Sequence, residues 1–364
     1  MRSSSRIAMQ VMLLGVTLAC VAPAGSYAQS SNVSVFATGF NNPRGLKFGP
    51  DGNLYVAEAG AGGSLSSVGT CGQVTPPVGP YFGGYTSRIS KITPSGTVTT
   101  YVDSLPSSIN QPAVGSGVQG AADVAFLGNT MYVILAGAGC SHGLTGTTNG
   151  VLRVNANGTT SLLADLSAFQ QSHPAANPEP DDFEPDGTWY SMIAGRQDLY
   201  AIEPNHGDFV AISKAGGVRR ILDISAIQGH IVPTGLAFDG RDFWVGNLDT
   251  FPIKDGSSKL MKITQNGSLT TEYIGFSVIL GLAFDAKGRL YVLENTTGNP
   301  GPTPGTGKIL RVDGKNNFTE IASGLSLPTA MTFGPDENLY VSNWGFGPSL
   351  VGVGQVLKVI VPAN

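Results

Sequence analysis

The sequence predicts an all-β protein, a six-bladed β-propeller with four antiparallel strands per blade and a ring closed by the N-terminal strand. Three observations predict it. First, the hexapeptide NLYVAE (53–58) returns as DLYAIE (198–203), RLYVLE (289–294) and NLYVSN (338–343), and alignment on its aromatic adds Tyr132 and Trp244, making six units. Second, the units share one order of strands and turns, with later spacings of 44, 47 and 49 residues between aromatics. A period of roughly 45 residues with four short strands is the signature of a propeller blade. Third, the last unit ends soon after QVLKVIV, while NVSVFATGF (32–40) reads like the fourth strands TVTTYVDSL and FTEIASGLS. A ring closed this way has no exposed edge and ties both termini down.

Taken in order, the chain opens on a secretory signal peptide over residues 1–28. Arg2 and Arg6 precede an apolar run over 7–24, and Ser26-Tyr27-Ala28 supplies small residues at a cleavage site. Thr17-Leu18-Ala19 before Cys20 makes a poor lipoprotein signal. No later stretch reaches the ~18 apolar residues of a membrane span. Residues 29–364 are then one propeller domain, periplasmic or secreted. Each blade starts with an apolar strand that closes in a turn: GLKFGPDGN, DVAFLGN, GLAFDG, GLAFDAKG and AMTFGPDEN, with a degenerate YSMIAGRQ in the third. The hexapeptide is the second strand. Third strands follow (SRISKI, GVLRV, DFVAI, KLMKI, KILRV, QVLKV), then Gly- or Asn-containing turns and a fourth strand such as TVTTYV or LTTEYI. Alternating apolar residues between such turns are hairpin signals.

Composition narrows the function. Charged residues make up 13% of the chain and the net charge is −4, so there is no basic footprint for nucleic acid. Nothing points to an organic cofactor. Past the signal segment only Cys71 and Cys140 remain, and an even pair in an exported chain predicts a disulfide.

In a four-stranded meander the segments before strand one, between strands two and three, and after strand four share one face, here called upper. The long segments fall there: 60–87, 137–149, 167–186, 248–258, 296–307 and 345–354. Long loops gathered on one side of a rigid scaffold are where function usually sits. Cys71 and Cys140 lie in two of them, on adjacent blades.

The last position of the hexapeptide reads Glu58, Leu135, Glu203, Asn247, Glu294 and Asn343 around the ring. Two readings stand. Glu58, Glu203 and Glu294 converge on a cation, Ca²⁺ or another divalent ion suited to oxygen ligands. Alternatively, they cap backbone N–H groups or pair with Arg44 or Arg196 of a neighbouring blade. His206, in EPNHGD (203–208), and His230, in GHIVPTG (229–235), share the upper face beside Glu203, Asn205 and Asn247. Either is a candidate general base or metal ligand, without a fixed ligand spacing. Asp123 stands where other blades have Gly or Ala. With Asn205, Asn247, Asn343 and Trp344 it makes up the candidate binding set, and the acidic insertion EPDDFE (179–184) adds negative potential. His173 in the same insertion reads as a solvated loop residue.

NNPRGLKFGPDGNLYVAEAG, the EPNHG turn and GHIVPTGLAF resemble the ScyD/ScyE family of exported propeller proteins, over essentially the whole chain after the signal. The resemblance implies a periplasmic or secreted six-bladed propeller and supplies no catalytic residue. The pattern PxGLxFxxDGxLYV is also similar to NHL-type and gluconolactonase-type propellers, the latter implying a divalent cation at the channel mouth. Two functions follow as expectations. One is an exported binding or accessory module recognising a small molecule, glycan or protein on its upper face. The other is a metal-dependent hydrolase or lyase at the channel mouth.

Overall fold

The computed structural model describes residues 28–110, 117–181, 183–346 and 351–362, so the signal segment lies outside it apart from Ala28. It is a six-bladed β-propeller with four antiparallel strands per blade. Blade one is Pro43–Phe48, Leu54–Glu58, Phe82–Ile92 and Val98–Ile109, and blade two is Ala121–Leu127, Thr130–Leu135, Gly150–Val154 and Thr160–Asp165. Blade three is Ser191–Ala194, Leu199–Glu203, Asp208–Ile212 and Val218–Asp223, and blade four is Pro233–Phe238, Phe243–Asn247, Ser258–Ile263 and Leu269–Phe276. Blade five runs through Ile279–Phe284, Leu290–Glu294, Gly307–Gly314 and Asn317–Leu325. Blade six has Ala330–Phe333, Leu339–Asn343 and Gly354–Val359, and takes its fourth strand from Val33–Phe40, which pairs antiparallel with Gly354–Val359. Each first strand packs on the first strand of the next blade, and the sixth returns to the first. The axis is therefore lined by first strands.

Alternating strand side chains bury toward the two neighbouring blades, and the core is divided accordingly. Six hydrophobic clusters fill the six inter-blade layers. Trp189, Tyr291, Phe40, Phe209 and Phe276 are among the largest fully buried side chains, and each such side chain stabilises the fold by about 1.5–3 kcal/mol.

The recurring aromatic owes its position to a second recurring residue. Tyr55 donates its hydroxyl to Asp51 (2.9 Å), Trp244 its indole N–H to Asp239 (2.9 Å), Tyr291 to Asp285 (3.3 Å) and Tyr340 to Asp336 (3.1 Å). The aspartate of the lower turn thus holds the polar tip of an aromatic whose ring packs between blades. Burial alone would raise the Asp336 carboxyl, yet Lys358, Asn338 and Tyr340 hold it down to about 2.

Four elements depart from expectation. The 60–87 insertion is not loop throughout: the third strand of blade one begins at Phe82, and Gly83 and Gly84 pair with Ser108 and Ser107. Val118–Gln119 adds a short fifth strand there. Leu166–Ser172, read as loop from residue 167, is a helix with Asp165 accepting the Ala168 amide as its N-cap, and Ser225–Gln228 is a single helical turn. Among the described residues no helix is long and apolar enough to cross a membrane.

Candidate functional site

The glutamates that end the hexapeptides are fully or almost fully buried, and each is satisfied inside its own blade. Glu58 Oε2 accepts the Asn41 amide (2.6 Å), and its Oε1 takes Arg88 Nε (2.8 Å) and the Ser90 hydroxyl (2.5 Å). Glu203 accepts the amides of Thr188 (2.7 Å) and His206 (2.5 Å). Glu294 accepts the Ser277 amide (2.5 Å) and faces Lys308 Nζ at 3.3 Å. The asparagines do the same work without charge: Asn247 Oδ1 accepts the Lys259 amide (2.8 Å), and Asn343 Oδ1 accepts the Ser326 amide (2.9 Å). In blades one, three, five and six the capped amide belongs to the segment that enters the blade's own first strand.

Of the two readings of Glu58, Glu203 and Glu294, the structure therefore shows the capping of backbone N–H groups and not convergence on one point. Among the described residues no group of three or more His, Cys, Asp or Glu could hold a metal ion. Backbone amides and the third-strand cations Arg88 and Lys308 offset the carboxylate charge instead. Arg44, one of the expected partners, pairs with none of these glutamates.

Strand register identifies equivalent positions on the axis. The residue four before the end of the apolar first-strand motif is Arg44, Ala122, Tyr190, Thr234, Leu280 and Thr329 in turn, and the next is Gly45, Asp123, Ser191, Gly235, Gly281 and Ala330. Two long polar side chains occupy this small-residue ring. Tyr190 on blade three donates its hydroxyl to the Thr329 carbonyl of blade six (2.8 Å), across the axis. Arg44 is 8% exposed, donates Nη2 to the Val118 carbonyl (2.6 Å), and stands 5.9 Å from the Phe346 ring centre. Burial lowers its proton affinity, with the hydroxyl of Tyr190 and then Tyr81 acting the other way.

Asp123 stands one step along. Its two oxygens accept the amides of Met192 (2.9 Å) and Val124 (2.8 Å). Burial raises its carboxyl to about 6, with Lys47 and these amides opposing. A Cβ on Gly45 would lie 1.9 Å from the Asp123 carboxyl, so the carboxyl occupies space that only glycine leaves open.

Outward, between blades three and four, the upper face carries a cleft of about 730 Å³ walled by Pro178, Pro180, Phe183 and His230. The acidic insertion is tied down beside it. Asn205 accepts the Glu184 amide with its side chain (3.0 Å) and the Glu179 amide with its carbonyl (2.8 Å). Glu179 in turn pairs with His230 Nε2. His230 Nδ1 has no partner among the described residues. Burial lowers the His230 imidazole below its ordinary value, Glu179 opposing most strongly. His206 is held by Gln170 of the Leu166–Ser172 helix (2.6 Å), and its ring meets the edge of Phe183 at 4.9 Å. The two candidate histidines thus flank Phe183. Asn247 and Asn343 are consumed by their own blades, and Trp344 is half-buried in a left-handed turn (φ 56°). His173 is exposed and stacks on Phe169 (4.4 Å).

A further network was not foreseen. Ser108 and His142 Nδ1 are 2.8 Å apart, His142 Nε2 faces Glu184 at 3.4 Å, and the Tyr81 hydroxyl donates to Glu184 (3.0 Å). All four side chains are buried. With Ser108 inaccessible, this Ser–His–Glu chain ties the insertions of blades one, two and three together rather than presenting a nucleophile. Beside it Cys71 and Cys140 are joined as expected, Sγ–Sγ 2.09 Å with Cα atoms 6.3 Å apart.

No family model matches the chain, and no curated protein matches it. Solved structures do. A gluconolactonase from Xanthomonas campestris aligns over 91% of this chain and 89% of its own at 12% identity, TM-score 0.54. A Bacteroides thetaiotaomicron protein of unknown function aligns over 92% and 77% at 12%, TM-score 0.56. A luciferin-regenerating enzyme aligns over 92% and 96% at 10%, TM-score 0.53. The shared property is the propeller fold. At such identities activity does not travel with it.

Proposed function

We propose that the protein is an exported binding or accessory module of the ScyD/ScyE type, whose upper face recognises a small molecule or glycan in the cleft at His230. The observation that carries this reading is the lining of that cleft. Two prolines and the half-exposed ring of Phe183 make rigid apolar walls, and the one polar pair, His230 and Glu179, sits among them. Recognition sites commonly combine such walls with a few placed polar groups. An aromatic aglycone would stack on Phe183, and a hydroxyl would hydrogen-bond His230 or Glu179. Export is supported by the signal-like N-terminus and by the disulfide, which persists in oxidising compartments.

A second reading, a hydrolase or lyase at the same cleft, draws on His230 alone. Its lowered proton affinity keeps the imidazole neutral near pH 7, as a general base requires. Calorimetric titration of the mature protein with aryl glycosides separates the two. The module reading expects binding without turnover, weakened roughly tenfold or more in both Phe183→Ala and His230→Ala with the melting curve preserved. Release of a chromogenic aglycone, lost in His230→Ala, would replace the module with the enzyme.

A further inference from the structure

A buried cation is held in folded proteins by a carboxylate, because removing it from water costs several kcal/mol otherwise. The partly buried Arg88, Arg220, Arg289 and Arg311 each have one. Arg44 is more buried than nine-tenths and forms no ion pair among the described residues. Its neighbours are the Val118 carbonyl, the Tyr190 hydroxyl and the Phe346 ring, supplied by blades one, three and six around the axis. Asp123, one ring position away, does not serve as counter-ion, since two backbone amides take its oxygens and the cation acting on its carboxyl is Lys47 rather than Arg44.

The scaffold has no need of an arginine at this position. The equivalent residues Ala122, Thr234, Leu280 and Thr329 build their blades without charge. We propose that Arg44, near the upper end of a first strand on the axis, is the anchor of a binding site for a small organic carboxylate. This site is separate from the cleft at His230 and does not rest on it.

The chemistry favours a monoanion. A single guanidinium offers parallel N–H donors that match the two oxygens of a carboxylate. The flanking Val118 and Thr329 carbonyls and the Asp123 carboxylate would repel a second negative charge. Phe346 supplies an apolar neighbour for the rest of such a ligand. Tyr190, already spanning from blade three to blade six, sits beside the guanidinium to accept or release its N–H when the carboxylate arrives.

The experiment uses the mature protein and three probes: benzoate, acetate, and benzamide as the neutral counterpart of benzoate. Benzoate and acetate should each raise the melting temperature in a saturable way, and benzamide should not. Arg44→Met should bind benzoate at least about tenfold more weakly. It should also melt at or above the parent, because it replaces an unpaired buried charge with an apolar side chain of similar length. Arg153→Met, an exposed arginine of blade two, serves as the charge-matched control and should respond like the parent. If Arg44→Met does not fold, Arg44→Gln with calorimetric titration gives the same comparison. Equal responses to benzoate and benzamide, an undiminished response in the Arg44 variants, or no response to either carboxylate would overturn the proposal.

Discussion

Replacing Asp123 by Asn tests the electrostatics of the axis directly. In the fold burial raises this carboxyl to about 6 from an ordinary 3.8. A raised carboxyl favours the folded state while it is protonated. Its contribution is therefore complete below about pH 3.8 and is lost as pH rises through about 6. The step from 3.8 to about 6, at about 1.4 kcal/mol per tenfold in proton affinity, gives about 3 kcal/mol. Asn does not titrate, but it offers one acceptor oxygen where the amides of Met192 and Val124 use two, which costs about 1–3 kcal/mol at every pH. The expected result is a variant less stable than the parent by that amount near pH 4 and close to it, or above it, near pH 7. Urea unfolding of both proteins at half-unit steps from pH 4 to 8 measures the difference, with equal m-values as the check on a two-state comparison. Other groups that titrate in this window, such as Asp208, which burial also raises to about 6, cancel between parent and variant. A stability difference that stays constant between pH 4 and 7 would refute the assignment of a strained, buried carboxylate at Asp123.

Three further expectations follow from the scaffold. Intact-mass analysis of alkylated, non-reduced protein should find no free thiol. Reduction should cost up to about 4 kcal/mol, given the 69-residue separation of Cys71 and Cys140, and two alkylated cysteines would contradict the bridge. Deleting Val33–Phe40 uncovers the edge of Gly354–Val359 and should lower the melting temperature by several degrees or more; a deletion that melts like the parent would show that the ring does not need this closure. Glu203→Gln, which alters the acceptor for the Thr188 and His206 amides, should lower stability by about 1–3 kcal/mol to the same extent in chelator and in Ca²⁺, whereas a loss seen only with Ca²⁺ would restore the cation reading.

The ring was legible because its determinants are local. Asp51 and Tyr55 are four residues apart, as are Asp336 and Tyr340, so the turn and the aromatic it anchors appear as one motif wherever the blade recurs. The closing strand was legible for the same reason, since Val33–Phe40 carries the pattern of the fourth strands. That the hexapeptide's Glu and Asn cap backbone N–H groups was one of the two readings open in the sequence. Which amides they cap was not legible, because a backbone amide has no sequence identity, and Arg88 and Lys308 rather than Arg44 or Arg196 supply the cations. Nor was the strand at Phe82–Gly84, where glycines interrupt the alternation that marks strands elsewhere.

The proposed axial site was the least legible. Arg44 and Tyr190 come together only because the ring places the same register position of blades one and three on a common axis, 146 residues apart in the chain. Within each blade the residues that repeat, such as Tyr55, Tyr291 and Tyr340 with their aspartates, are explained by blade assembly. Arg44, Asp123 and Tyr190 break the repeat at positions otherwise filled by Gly, Ala, Ser, Thr or Leu. A charge buried without an ion-pair partner and a carboxyl raised to about 6 both work against stability. Such costs accumulate where a site serves something other than folding. In a repeat protein the departures from the repeat, read after the register is known, separate the residues that blade assembly explains from those that it does not.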